Sequence, residues 1–290
     1  MIARFDYEIL EDSNLRDYLL SYYLSKSKVY KLFQDKMVLV NNEFKNESYN
    51  LKKGDIVSIL LDEEIDFKPI EYDLDILYED SYFLIINKPA GIIIHSEKDK
   101  DDLSLCNHVA DYYKRKGYHL NIRFAHRLDK ETSGVIVFCK DILTHAYMNY
   151  YISTHDIKRE YRALIQGHPK DNHFRLTYPI GSNRHNSQKM VVSKNGKDAI
   201  TNVELLYKYK GYSLVRVILE TGRTHQIRLH LSHYGNPLLG DILYGGQQNK
   251  IKRVALHSYK IEFIHPVTKM NTSVIAPMPK DMAVLMKEVG

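Results

Sequence analysis

Asp129 sits among His126, Arg127 and Lys130 in the string Phe124-Ala125-His126-Arg127-Leu128-Asp129-Lys130-Glu131-Thr132-Ser133-Gly134. A carboxylate in a basic loop can act as a nucleophile or a base on an anionic substrate that the cations hold in place. The plainer alternative is a solvated turn with Asp129 salt-bridged to its neighbours. His225, His230 and His233 form a second concentration of reactive groups. No His-Glu-x-x-His string occurs, and Cys106 and Cys139 lack ligand spacing, so a zinc hydrolase is disfavoured. No Gly-x-Gly-x-x-Gly follows a strand, which disfavours a dinucleotide enzyme.

Such residues need rigid elements behind them. Val135-Ile136-Val137-Phe138, just after Gly134, reads as a buried strand. Lys158-Arg159-Glu160-Tyr161-Arg162-Ala163-Leu164-Ile165-Gln166-Gly167 alternates charged and apolar positions and reads as a strand, with Tyr161 half-buried on it. Residues 75–80 and 82–86 read as two strands. The turn Asn87-Lys88-Pro89-Ala90-Gly91 follows them, and Ile92-Ile93-Ile94 reads as a further buried strand. Residues 103–116 and 142–151 are expected to be helical. Residues 179–199 are expected to form a polar loop or hairpin, and 201–209 with 212–220 a strand pair. The last strand is expected at 260–264 and a short helix at 279–289. Ahead of all this, 1–10 reads as a strand. Asp12-Ser13-Asn14 and Ser25-Lys26-Ser27 offer caps for two helices, and 37–42 and 56–60 read as strands. The acidic stretch from residue 62, with Pro69, reads as a linker as far as residue 70.

The 290 residues are 44% hydrophobic and 27% charged, an ordinary globular composition, and no apolar run approaches the length of a membrane span. Two cysteines and no secretory leader fit a reducing compartment. The net charge of +5 hides an asymmetry. Residues 1–80 carry 10 basic and 18 acidic side chains, whereas 81–290 carry 31 and 18. A basic excess of that size suits a polyanionic partner.

Three strings together resemble the RluA-type pseudouridine synthases. They are the His-Arg-Leu-Asp string around Asp129, the string around Tyr161, and Thr221-Gly222-Arg223-Thr224-His225-Gln226-Ile227-Arg228-Leu229-His230. Pro237-Leu238-Leu239-Gly240-Asp241 and Ala255-Leu256-His257-Ser258 continue the match, which runs from about residue 75 to residue 277. The turn at Lys88 resembles the opening of the family's catalytic domain. The resemblance implies isomerisation of uridine in RNA to pseudouridine. It makes Asp129 the catalytic residue, Arg228 its ion-pair partner, and Tyr161 the ring that stacks on uracil. It leaves open whether Asp129 attacks C1′, attacks the base or removes a sugar proton. A uridine inside a helix must be flipped out, at a cost of a few kcal/mol. His126 and Arg127 are the nearest candidates to hold phosphates and fill the vacated stack, and the family gives that part to Arg127. Arg223, His225, Gln226 and Lys88 are also expected to meet the substrate. Residues 1–70 resemble an S4-type RNA-binding domain through Leu15-Arg16, Ser25-Lys26-Ser27-Lys28, Val38-Leu39-Val40-Asn41 and Lys53-Gly54-Asp55. In that likeness Lys26, Lys28, Lys31 and Lys36 face RNA, and a solvated helix face is the plainer reading.

The expected architecture is α+β. An S4-like domain over 1–70 precedes a pseudouridine synthase catalytic domain over 71–290, built on a mixed, mainly antiparallel sheet with flanking helices. The expected protein is a cytoplasmic monomer that needs no metal or other cofactor and does not engage membranes. Its RNA partner is ribosomal or transfer RNA, and the S4-like part favours large-subunit ribosomal RNA. A ribosome-associated RNA-binding protein without catalysis is the alternative.

Overall fold

The computed structural model describes residues 2–96, 103–184, 186 and 188–287, which form a four-stranded sheet, a ten-stranded sheet and two small ribbons. The N-terminal part contains β1 (Ala3–Glu8), β2 (Ser13–Asn14), α1 (Leu15–Ser21), α2 (Lys26–Gln34), β3 (Val38–Val40), β4 (Glu43–Phe44), β5 (Asn50–Leu51) and β6 (Ile56–Leu61). Asn14 and Ser25 cap the two helices through their side-chain oxygens, as their position before the apolar repeats dictates. Both helices pack Leu15, Leu19, Val29 and Leu32 inward. The sheet order is β1-β6-β3-β4.

The larger part runs β7 (Ile76–Glu79), β8 (Phe83–Lys88), α3 (Leu105–Lys116), β9 (Arg123–Phe124), β10 (Ser133–Cys139), α4 (Ile142–Ser153), β11 (Lys158–Gln166) and β12 (His173–Leu176). It continues β13 (Ile180–Ser182), β14 (Met190–Val192), β15 (Thr201–Tyr209), β16 (Tyr212–Leu219), α5 (Gln226–Tyr234), a 3-10 turn (Ile242–Tyr244), β17 (Leu256–Ile264), β18 (Asn271–Ile275) and α6 (Lys280–Leu285). The main sheet is ordered β12-β15-β16-β11-β17-β10-β8-β7. Its pairs are antiparallel except β10 with β17, so the fold is α+β with a mixed, mainly antiparallel sheet. At its centre Val135, Ile136, Val137 and Phe138 of β10 and Phe83, Leu84 and Ile85 of β8 are fully buried. Each such side chain contributes roughly 1.5–3 kcal/mol, which makes this pair of strands a stiff base for the loop that precedes β10.

The structure corrects three expectations and adds one helix. Ile92-Ile93-Ile94 is not a strand; Ile93 makes one isolated bridge to Ser104. The buried ammonium of Lys88 takes the carbonyls of Pro89 and Ile92, so this backbone turns to it and not to a neighbouring strand. Residues 260–264 are not the last strand. β17 starts at Leu256, and a further strand, β18, folds back on it after a turn with Lys269 at a φ of 59°. Helix α5 was hidden in a polar string; His225 opens it and Gly235 closes it, both in the left-handed region. The stretch from 62 to 70 is a strap and not a loose linker. Glu63 pairs with Arg123, Asp66 accepts from the Ile122 amide, and the Ile70 amide donates to the Asn107 carbonyl.

The two parts meet through tyrosines. The Tyr7 hydroxyl donates to Asp141, the buried N-cap of α4, at 2.6 Å. Tyr23 stacks on Tyr150 with ring centroids 3.4 Å apart. Both cysteines are free and buried.

Burial holds three histidines neutral, with pKa values of about 3 for His126 and about 4 for His145 and His257. In the unfolded chain each takes up a proton below about 6.5. Their contribution to stability is therefore complete above pH 6.5 and is lost as the pH falls toward 4, by up to about 1.4 kcal/mol per histidine for each pH unit. Urea unfolding followed between pH 7 and pH 4 is expected to show this decline, and His257→Asn should flatten it.

Candidate active site

Asp129 opens a tight turn in which the Thr132 amide donates to its carbonyl at 3.0 Å. Three donors hold this turn in place. The Gly91 amide and the Lys88 ammonium both reach the Lys130 carbonyl, at 2.8 and 3.1 Å, and Arg253 reaches the Glu131 carbonyl at 3.3 Å. Gly134 then lets β10 close against β17. Its φ is 109°, and a Cβ there would stand 2.1 Å from the Ser258 carbonyl oxygen, so no other residue fits.

Helix α5 brings Arg228 to Asp129. The Arg228 guanidinium donates to both oxygens of Asp241, at 2.8 and 2.9 Å, and its remaining arm reaches Asp129 Oδ2 at 3.4 Å. Burial alone would lower the Arg228 pKa, but the bonds to Asp241 and the charge of Asp129 outweigh it and raise it. The Tyr244 ring lies 5.1 Å from the guanidinium carbon. His225 Nε2 stands 3.8 Å from Asp129 Oδ2, and its Nδ1 is 3.0 Å from the Tyr244 hydroxyl. Burial, before any neighbouring charge, lowers the His225 pKa below its usual 6.5. Tyr161 is buried on β11 opposite Ser258, and burial raises its pKa.

Asp129, Arg228, His225 and Tyr161 line one groove of about 940 Å³, together with His126, Arg127, Arg159, Arg223 and Gln226. The Asp129 side chain is 26% exposed there, enough to touch a ligand. A second cleft of about 600 Å³, between β1 and the β7–β8 turn, holds none of the motif residues.

The structure changes the role of three residues expected to meet the substrate. Lys88, expected to face phosphate, is fully buried. Its ammonium donates to the carbonyls of Pro89, Ile92 and Lys130, and burial lowers its pKa to about 7. It positions the Asp129 turn and cannot reach solvent. Gln226 has both ends engaged: its oxygen accepts from Thr221 and the Arg223 amide, and its nitrogen donates to Ile200 and Thr201. It braces the start of α5. His126 is buried and neutral, which removes it as a cation for phosphate. Arg127 and Arg223 are exposed at the groove. Lys26, Lys28, Lys31 and Lys36 are exposed along and just beyond α2. Lys28 lies close enough for its charge to depress the pKa of the groove residue His145, after the larger effect of burial. Asp241, Tyr244 and Arg159 carry no role that the sequence alone reveals. Asp241 stands inside the Pro237–Asp241 string, and Arg159 shares a strand face with Tyr161 two residues on, which was the available signal.

The model of the RNA pseudouridylate synthase family matches residues 82–233. The uncharacterized RNA pseudouridine synthase YhcT of Bacillus subtilis is 40% identical over 262 residues, covering 89% of this chain and 87% of its own. Ribosomal large subunit pseudouridine synthase D of Zymomonas mobilis is 36% identical over 236 residues, 76% of this chain and 74% of its own. Among solved structures, human RNA pseudouridylate synthase domain containing 1 superposes with a TM-score of 0.59 at 26% identity, over 71% of this chain and 83% of that one.

The forked hold on Asp241 and Asp129 requires a guanidinium. An ammonium in Arg228→Lys is a single point and cannot span both carboxylates, which leaves the buried Asp241 short of a partner. The expected cost is about 3 kcal/mol in urea unfolding at neutral pH, whereas Arg223→Lys at the exposed rim should cost almost nothing.

Proposed function

The chain belongs to the RNA pseudouridylate synthase family and isomerises uridine in RNA to pseudouridine, and on that premise we propose that Asp129 is its catalytic carboxylate. The observation that carries this reading is the ion pair of Asp129 with Arg228 in the groove that Tyr161 also lines. The reaction breaks the bond between C1′ and N1 of the target uridine, turns the uracil, joins C1′ to C5, releases the C5 proton and leaves a proton on N1. Asp129 supplies the carboxylate that the first step needs, either against C1′ or the base, or as a base toward the sugar. Arg228 keeps it aimed and ion-paired. Tyr161 offers a ring face for the uracil and a hydroxyl close to C5. Arg127 and Arg223, at the rim, hold the backbone of the flipped nucleotide.

We further propose that residues 1–70 are an S4-like RNA-selecting domain and 71–290 the catalytic domain. The exposed lysines of α2, with Lys28 close to the groove residue His145, support a continuous RNA path from one to the other. Large-subunit ribosomal RNA is the proposed substrate, and relatives named as ribosomal large subunit pseudouridine synthases support it. Mapping pseudouridines in total RNA with and without this gene tests the target. A change confined to transfer RNA would move the substrate there.

Asp129→Asn is expected to abolish pseudouridine formation while RNA affinity and thermal stability stay near wild type. Turnover by this variant in a tritium-release assay would remove the assignment. Replacing Lys26, Lys28 and Lys31 together by Gln should leave the fold intact, since all three are exposed. The slope of log affinity against log salt should flatten by roughly one unit for each phosphate that the variant no longer holds. This substitution is a cleaner test than deleting residues 1–70, which would strip Tyr7 from Asp141 and Glu63 from Arg123.

A further inference from the structure

We infer that Arg159 forms an anion subsite in the floor of the groove that takes an RNA backbone phosphate next to the flipped uridine. Arg159 and Tyr161 stand two residues apart on β11, so their side chains leave the same face of the strand, roughly 7 Å apart along it. That spacing suits a nucleotide whose base lies on Tyr161 and whose phosphate lies at Arg159. Arg159 is only 6% exposed and lines the groove. Among the described residues it makes no ion pair, and its Nε has no hydrogen-bond partner. Every other arginine with a comparably buried side chain among the described residues, Arg123, Arg228 and Arg253, is paired with a carboxylate. An uncompensated buried guanidinium is costly to the free protein, and a bound phosphate would satisfy its planar fork of donors.

The surroundings make room for such a ligand. Gly222 lies against the guanidinium, where an added Cβ would stand 3.2 and 3.3 Å from its two terminal nitrogens. Arg223 and His155 line the same end of the groove. The field there is positive: after burial, the charges of Arg159 and Arg223 depress the pKa of His155, and that of Arg159 depresses the pKa of His126. The neutral His126 cannot balance the arginine. Thr132 adds a buried hydroxyl without a partner on the same groove.

The identity of the anion as RNA rests on the proposed reaction; the anion subsite does not. The test follows thermal unfolding of the full-length wild type, Arg159→Met and Arg159→Gln, titrated with inorganic phosphate against chloride at matched ionic strength. Without phosphate both variants should be at least as stable as wild type, because each removes an unpaired buried charge. Phosphate should raise the wild-type melting temperature more, since a ligand stabilises only the folded state that binds it, and apparent phosphate affinity should fall about tenfold in the variants. Equal phosphate responses in all three proteins, or variants that unfold more easily without phosphate, overturn the subsite. In Arg159→Met the salt slope for RNA that the wild type modifies should flatten by about one unit. An unchanged slope, with the phosphate response abolished, would overturn the assignment to RNA and leave a free anion as the ligand. Pseudouridine formation by the wild type is scored on the same preparation. Its absence removes the proposed reaction alone, and disappearance of the phosphate difference removes the subsite alone.

Discussion

The guanidinium of Arg228 is divided between two carboxylates, and the geometry of the groove follows from that division. Two of its nitrogens are committed to Asp241, which is almost wholly buried and needs a full partner. Only the third arm is left for Asp129, at the longer distance of 3.4 Å. Arg228 is therefore oriented by a residue that lies outside the groove lining. Tyr244 covers the guanidinium from one side and engages His225, which borders Asp129, so helix α5, the 3-10 turn and the Asp129 loop are tied at one point.

The opposing side of the site is held by backbone carbonyls. The loop from Asp129 to Thr132 carries little apolar surface and could not hold its shape by burial. The ammonium of Lys88 instead gathers three carbonyls, those of Pro89 and Ile92 and that of Lys130 in this loop. Burial lowers the pKa of that ammonium, whereas the negative charges of Glu131 and Asp129 support it. Gly134 permits the close approach of β10 to β17 that the loop then feeds. Rigid strands and a tied loop give Asp129 a fixed position while leaving its carboxylate open to the groove.

Attachment of the N-terminal part uses a different chemistry. The chain has 23 tyrosines and no tryptophan. Several of the tyrosines gather where β1 and the end of α1 meet the larger part, through stacked rings and hydroxyl bonds such as Tyr7 to Asp141 and Tyr22 to the Pro266 carbonyl. Tyrosine combines apolar area with a polar tip, so it can seal an interface and still satisfy the N-cap of α4. This docking brings Lys28 of α2 close enough to the groove residue His145 for its charge to be felt there.

The sequence by itself determined the elements with strong local signals. Capped amphipathic helices, the apolar run of β10, the alternating strand of β11 and the hairpin of β15 and β16 are written in periods that any short window contains. The motif strings likewise singled out Asp129, Tyr161 and Arg228, and the structure sets the first and last of these 3.4 Å apart across 99 residues. Local pattern could not say where Lys88 would point or that both ends of Gln226 would be taken up. It could not reveal that Asp241 would hold Arg228 or that Arg159 would be buried without a carboxylate. Those outcomes depend on which distant carbonyls and carboxylates arrive beside a side chain, and sequence spacing does not carry that information. Helix α5 and strand β18 escaped for the related reason that their polar, weakly periodic residues are ordered by tertiary packing and not by propensity. A side chain's type was legible from the chain alone; its partner, and so whether it braces the fold or faces the substrate, was decided only when the strands closed.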